Sequence, residues 1–261
     1  MTGSDETPPF RLVYVPGVMP DKWVRIWNER CPDVPLALTQ VPAAAAAERL
    51  RGGDADAGLV RLPVDRTVFS AIPLYTEQTV VVVPKDHLVT AVDEVSPEDL
   101  ADDIVLHPLD DVLDWETLPG RPAFERPATT ADAVELVAAG IGVLIVPLSL
   151  ARLHHRKDLT HRPLKDAPES RVALAWPEDA TTDQVEDFIG IVRGRTVNST
   201  RGRTRPAAPD KPGRPEKDGA RRKPAASAGQ PGTNHRRGSG SGGTPKGTPK
   251  SGRRGKPRRR S

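Results

Sequence analysis

Cysteine is almost absent: Cys31 stands alone in 261 residues. One thiol builds neither an intrachain disulfide framework nor a thiolate metal site, and nothing asks for an oxidising compartment. The N-terminus lacks the positive charge and apolar run of a secretory signal, carrying Asp5 and Glu6 instead. Membrane-length apolar runs are missing too. The most apolar stretch, 136–151, is short and is broken by Gly140, Gly142 and Pro147. These absences give the expectation of a cytoplasmic protein with no membrane partner. Catalytic signatures are equally scarce. There is no G-x-S-x-G elbow and no P-loop, and Gly140-Ile141-Gly142 lacks the third glycine and following helix of a dinucleotide fingerprint. His154, His155 and His161 make a poor metal set, since consecutive histidines diverge and Arg152, Arg156 and Lys157 repel a cation. Cys31, before Pro32, has no evident base. No nucleophile, base and orienting group come together, so neither an enzyme nor a cofactor nor a metal is expected.

Acidic residues are what the last quarter of the chain lacks. Residues 201–261 hold 19 Lys and Arg against 3 Asp and Glu, which leaves 19 basic and 32 acidic residues in 1–200. The net charge of +3 therefore hides an acidic body joined to a basic tail. From Val197 onward there is also no leucine, isoleucine, phenylalanine, tyrosine or tryptophan. Such a segment cannot bury enough apolar surface to offset roughly 1–2 kcal/mol of backbone entropy per residue. Residues 196–261 are expected to be disordered, as are 1–9.

The body between them reads as alternating strands and helices. Residues 10–15 (FRLVYV) alternate as a half-buried strand, and a helix follows with Asp21 in its first turn. Trp23, Ile26 and Trp27 share one face of it, which makes both tryptophans core residues rather than stacking platforms. Residues 35–41 give a second strand, Ala43 to Arg51 a second helix stopped by Gly52-Gly53, and AGLVRL a third strand. Strand, helix, strand, helix, strand at this spacing predicts a parallel sheet covered by helices. TVVVVP (79–84) has no polar alternation and suits a strand buried on both faces. Ser96-Pro97-Glu98-Asp99 predicts a helix start. DIVLHP is a further strand, Thr129 or Thr130 caps a helix running to Ala139, and VLIVP and RVALAW are buried strands. Val185, Phe188, Ile189 and Val192 mark the apolar face of a last helix. Two α/β units in series suggest two lobes around a cleft.

Several of these segments, in order, resemble the effector-binding domain of the LysR family of transcription regulators. They are FRLVYVPGVMPDKWVRIWNERCPDVPLALTQV, ERLRGGDADAGLVRLP, IPLYTEQTVVVVPKDH, VSPEDLADDIVLHP, TTADAVELVAAGIGVLIVPLSLARL and RVALAW. The resemblance covers about residues 10–193 and implies an α/β fold, the two-lobed type 2 periplasmic-binding-protein architecture. It gives a domain over 10–195, with lobe I at 10–86 and 172–195 and lobe II at 87–171. TVVVVP would cross out of the first lobe and RVALAW would return. It also implies a small-molecule effector in the cleft and a homodimer. About nine residues precede the first strand, where full-length family members carry a winged helix-turn-helix, so promoter reading is not carried over. Leu88 stands where the family usually has a proline.

Ligands of parallel α/β sheets sit at the carboxyl ends of strands, where free helix N–H groups favour an anionic group. With the resemblance, this rule singles out Gly17, Val18 and Met19 after the first strand, Thr39 and Gln40 after the second, and Arg61 after the third. His107, Thr129 and Thr130 face them from the other lobe. Val18 and Met19 are apolar where the family usually offers a hydroxyl, which shifts the pocket towards a greasier ligand. Each position has a plainer alternative. Thr129 and Thr130 serve equally well as helix caps, and Arg61 as a solvated strand-end charge bonded to Asp65. His107, before Pro108, suits a loop with a local hydrogen bond, and Gly17 suits simple turn geometry.

In the tail, Arg221, Arg222 and Lys223, then Arg236-Arg237, Arg253-Arg254 and Lys256, and Arg258, Arg259 and Arg260 form clusters spaced by Gly and Pro. A flexible polycation gains by releasing counterions from nucleic acid without reading sequence. Residues 254–259 (RGKPRR) resemble an AT-hook core, with Pro212 to Pro215 a fainter echo. A solubility tail and a tail folded onto the acidic body are the alternatives. Two functions stay open: a regulator that senses a small, anionic metabolite and is tethered by its tail, or a nucleic-acid-associated accessory protein with a vestigial cleft.

Overall fold

A computed structural model describes residues 7–195; the expected tail, with all its basic clusters, lies outside them. Two five-stranded sheets organise the chain. The first is built from β1 (Phe10–Tyr14), β2 (Leu36–Gln40), β3 (Ala57–Arg61), β4 (Phe69–Glu77) and β10 (Ser170–Pro177), in the order β2-β1-β3-β10-β4. The second takes β5 (Thr79–Pro84), β6 (Ile104–Leu106), β7 (Arg121–Pro122), β8 (Val143–Pro147) and β9 (Leu159–Pro163), in the order β7-β6-β8-β5-β9. In each sheet four strands run the same way and one, β10 in the first and β5 in the second, runs antiparallel between its two neighbours.

The first lobe is sealed by α1 (Asp21–Arg30), α2 (Ala46–Arg51) and α5 (Asp183–Val192). Trp27 of α1 is fully buried and stacks on Phe10 at 4.7 Å, with Phe188 of α5 tilted against both. Its indole N–H donates to Val34 O at 2.9 Å, so the polar end of the ring is satisfied within the core. Trp23 and Ile26 pack on the same cluster, as the helical spacing predicts.

The second lobe is aliphatic. Along β5, Val80 and Val82 enter the cluster under α3 (Thr130–Ala138) and α4 (Leu148–Leu153), while Val81 and Val83 enter the cluster on the opposite face. A period of two in a strand covered on both sides removes polar residues from it altogether, which is what TVVVVP records.

Four expectations need correction. TVVVVP lies wholly in the second sheet, so the crossing falls at Gln78, between β4 and β5, and lobe I does not extend to residue 86. The return lies just before Ser170, and RVALAW belongs entirely to the first sheet. At Ser96 there is no α-helix. Pro97–Leu100 makes one tight turn, held where Ser96 N–H and its hydroxyl both donate to the Asp99 carboxylate. Asp102 and Asp103 then begin the approach to β6, too soon for a second turn to form. The strand over DIVLHP is also shorter than expected, Ile104–Leu106, and His107 already belongs to the loop.

Candidate functional site

Between the sheets lies a cleft of about 580 Å³. The first lobe lines it with Pro16, Gln40, Val41, Pro42, Ala43 and Arg61; the second contributes Asp110, Val112, Thr129, Thr130, Ala131, Leu150, Leu153 and His154. Most of these stand just beyond β1, β2, β3 and β6 or at the start of α3, because parallel strands present their carboxyl ends, and the helices that follow, to the same side.

Arg61 is the centre of the wall. Its side chain is 5% exposed and pairs with Glu77, whose own is 7% exposed. The solvated pairing with Asp65 is therefore wrong: Asp65 instead accepts from the Thr67 N–H at 2.9 Å and the Thr67 hydroxyl at 2.6 Å. Those bonds hold the Asp65 carboxyl below its ordinary range. Arg61 Nη1 donates to Glu77 and to the Ser170 hydroxyl, and Nη2 donates to Pro16 O and Ser149 Oγ, each at 3.2 Å. Ser149 belongs to α4, so this guanidinium joins the two lobes. Tyr75 stands near the pair. Burial, and then the charge of Glu77, push its phenol up.

Gly17 lies at the same crossing. Its φ is +86°, and a Cβ there would run into Ser149 Oγ and stand 3.1 Å from Arg61 Nη2. A residue without a side chain lets the first loop pass beneath α4, so its role exceeds turn geometry.

The other expected positions divide. Gln40, Thr129 and Thr130 reach the cleft with Arg61. Thr129 is the cap of α3, accepting from Asp132 N at 3.1 Å while its own N–H donates to the Asp132 carboxylate. Thr130 is not a cap; it is buried and its hydroxyl donates to Asp110 Oδ1 at 2.9 Å. Val18 is taken up by the first lobe's core, and Met19 is 76% exposed. Neither lines the cleft, nor does Thr39, exposed on the edge strand β2. His107 faces away into its own loop, with Nε2 at 3.2 Å from Asp111. Burial pushes the Asp111 carboxyl up, against the N–H of Leu113 and the neighbouring His107.

The residues not foreseen are Pro16, Val41, Pro42 and Ala43 in the first lobe and Val112, Ala131, Asp110, Leu150, Leu153 and His154 in the second. The last three sit on or just after α4, a two-turn helix whose short apolar run gives no period to detect. No group of three or more His, Cys, Asp or Glu among the described residues is placed to hold a metal. No described helix is long and apolar enough to cross a membrane.

The family model for the LysR substrate binding domain matches residues 14–196, which is most of the chain. The chain belongs to the LysR substrate-binding-domain family. Its curated relatives include the HTH-type transcriptional regulator AlsR of Bacillus subtilis, 26% identical over 64% of this chain and 59% of that protein. The Hca operon transcriptional activator HcaR of Escherichia coli is 26% identical over 71% of this chain and 64% of its own length. A probable hydrogen peroxide-inducible genes activator of Mycobacterium avium is 32% identical over 71% and 63%. The chain thus spans about three fifths of the length of the regulators it matches. Among solved structures, the BenM effector-binding domain with its effector benzoate superposes with a TM-score of 0.60 at 21% identity, over 72% of this chain and 91% of that one. The reduced OxyR regulatory domain from Pseudomonas aeruginosa gives 0.56 at 21%, over 72% and 96%. This LysR-type domain therefore has the fold of effector-binding domains, and its family serves transcription regulation.

Proposed function

We propose that this LysR-type domain senses a small molecule in the interlobe cleft and serves a transcription regulator in the cytoplasm, not an enzyme. The observation that carries the reading is the cleft itself, walled by both lobes and spanned at its base by the Arg61–Ser149 bond. A ligand touching Gln40 and Arg61 on one side and Thr129 and Thr130 on the other favours the closed arrangement by its differential contacts alone. The ligand stands mostly on apolar surface from Val41, Pro42, Val112, Leu150 and Leu153. The expectation of an anionic ligand finds less support, because Arg61 already carries Glu77 as its counter-ion.

A metabolite panel read by thermal denaturation of the full chain tests this. A ligand at a hundred times its Kd adds about 2.7 kcal/mol to stability. That gain should shrink on Gln40→Ala and Thr130→Ala. No stabilisation by any member would favour the accessory reading with a vestigial cleft.

The basic tail is proposed to hold nucleic acid without reading sequence, through the clusters at 221–223, 253–256 and 258–260. Its support is charge alone, with 19 cationic side chains among 61 residues. DNA binding that weakens steeply with salt and vanishes on deletion of 196–261 is the expected result. Binding that survives the deletion would move the contact to the body. The homodimer belongs to the same proposal and is read by light scattering on the eluting protein.

A further inference from the structure

The two features of the cleft that attract an anion are already engaged by the protein's own carboxylates. Arg61 has five N–H donors, and four have acceptors within the protein: Glu77, Ser170, Pro16 O and Ser149. Its charge is balanced by the Glu77 carboxylate, and both side chains are buried. The start of α3 is the second feature. There the carboxylate of Asp110 stands against Thr130, accepting a hydrogen bond from its hydroxyl at 2.9 Å, where a ligand anion would otherwise be drawn.

Asp110 itself is not balanced. It is exposed, lines the cleft and forms no ion pair among the described residues, and its Oδ2 has no partner there. Arg126, from the segment leading to α3, donates to the carbonyls of His107 and Pro108 at 2.8 and 2.7 Å, not to Asp110. Among the lining residues only Arg61, Asp110 and His154 are titratable. With Arg61 cancelled by Glu77, Asp110 is the one carboxylate lining a largely apolar hollow, and it has no ion-pair partner among the described residues.

We propose that the ligand is an organic cation, with a protonated amine or amidine set against Asp110 and an apolar body held between Val41, Pro42, Val112, Leu150 and Leu153. This rests on the sensing reading and adds the charge of what is sensed. A charge-assisted hydrogen bond from an ammonium to Asp110 Oδ2 supplies orientation, and Gln40 offers the opposite lobe's amide to a second polar group. An anionic ligand of the same size would have to approach the carboxylate of Asp110 without a free guanidinium to receive it.

The test uses matched triads in which one apolar body, phenylpropyl, cyclohexylmethyl or indolylethyl, carries an ammonium, a carboxamide or a carboxylate. Each is titrated calorimetrically into the full chain at about 0.15 M salt, to screen the tail, and about pH 8, where an ordinary imidazole is neutral. The ammonium member should bind roughly tenfold or more tightly than its carboxylate twin. Asp110→Asn, on an exposed loop, should erase that preference. Glu77→Gln should uncover Arg61 and raise affinity for the carboxylate. A carboxylate that wins on the wild-type chain overturns the cationic assignment while leaving sensing intact, and so does ammonium binding indifferent to Asp110→Asn. If no member of any triad binds, the cationic assignment falls, and sensing is decided by the metabolite panel alone.

Discussion

Between its first two parallel strands the first lobe carries a helix, α1, whose apolar face buries Trp27. At the matching place in the second lobe, between β6 and β7, residues 107–120 form no helix and hold Asp110, Asp111, Asp114 and Glu116. The strand plan is the same in both sheets, with the third parallel strand flanked by the strand that adjoins the crossing. What differs is the cover. The first lobe gains its core from three aromatics in mutual contact, contributed by β1, α1 and α5. The second gains its core from valines on both faces of one strand and leaves a loop open at the cleft. One lobe is anchored, and the other displays a polar loop at the shared site.

The largest expected effect comes from attacking the anchor. Trp27→Ala should cost about 3–5 kcal/mol, because a large ring leaves a cavity between Phe10 and Phe188. Leu144→Ala, in the second lobe's core, should cost about 2–5 kcal/mol. Urea melts followed by tryptophan fluorescence separate the halves, since Trp115 reports the second lobe and Trp23 and Trp176 the first. Should Leu144→Ala move only the Trp115 signal, the lobes unfold independently; one shared transition would instead join them. Next, Thr129→Ala should cost about 1 kcal/mol by uncapping α3. The same variant in ligand titrations distinguishes capping from contact.

The smallest effect is one of pH. His161 of β9 is held below its ordinary range by burial, and then by the charges of Arg152, Arg162 and His155. The unfolded chain therefore binds that proton more readily, and stability falls as pH drops through about 6.5 towards the lowered value. His161→Gln should flatten the difference in Tm between about pH 7.5 and about pH 5.5, leaving the second lobe less sensitive to acid.

Much of this was legible in residues whose burial is one-sided or complete. The faces of α1 and α5 and the apolar runs of β5, β8 and β10 declare themselves by period or by the absence of polar residues. β4 did not, because Pro73 interrupts it. As an edge strand it tolerates a missing N–H, and Leu74, left unpaired opposite Val172 and Ala173, absorbs the shift in register. β9 is an edge strand as well, half exposed and ending in Pro163. At the site, the strand-end rule found Gln40, Arg61, Thr129 and Thr130. It could not find Glu77 or Ser170 as partners of Arg61, since they come from a strand it missed and from the first residue of β10, far along the chain. Asp110 escaped for a related reason: a lone carboxylate among several acids has no pattern until Thr130 points at it.

Glu77 is the last residue before the chain leaves the first lobe, and Ser170 the first after it comes back. Arg61 grips both, so its guanidinium sits where the two connecting strands lie side by side, like the rivet of a pair of tongs. Near a pivot, a wide swing at the jaws requires only a slight displacement. Were the lobes to part there, the mouth would open with little beyond a lengthened reach to Ser149, and the contacts to Glu77 and Ser170, both in the first lobe, would be left in place.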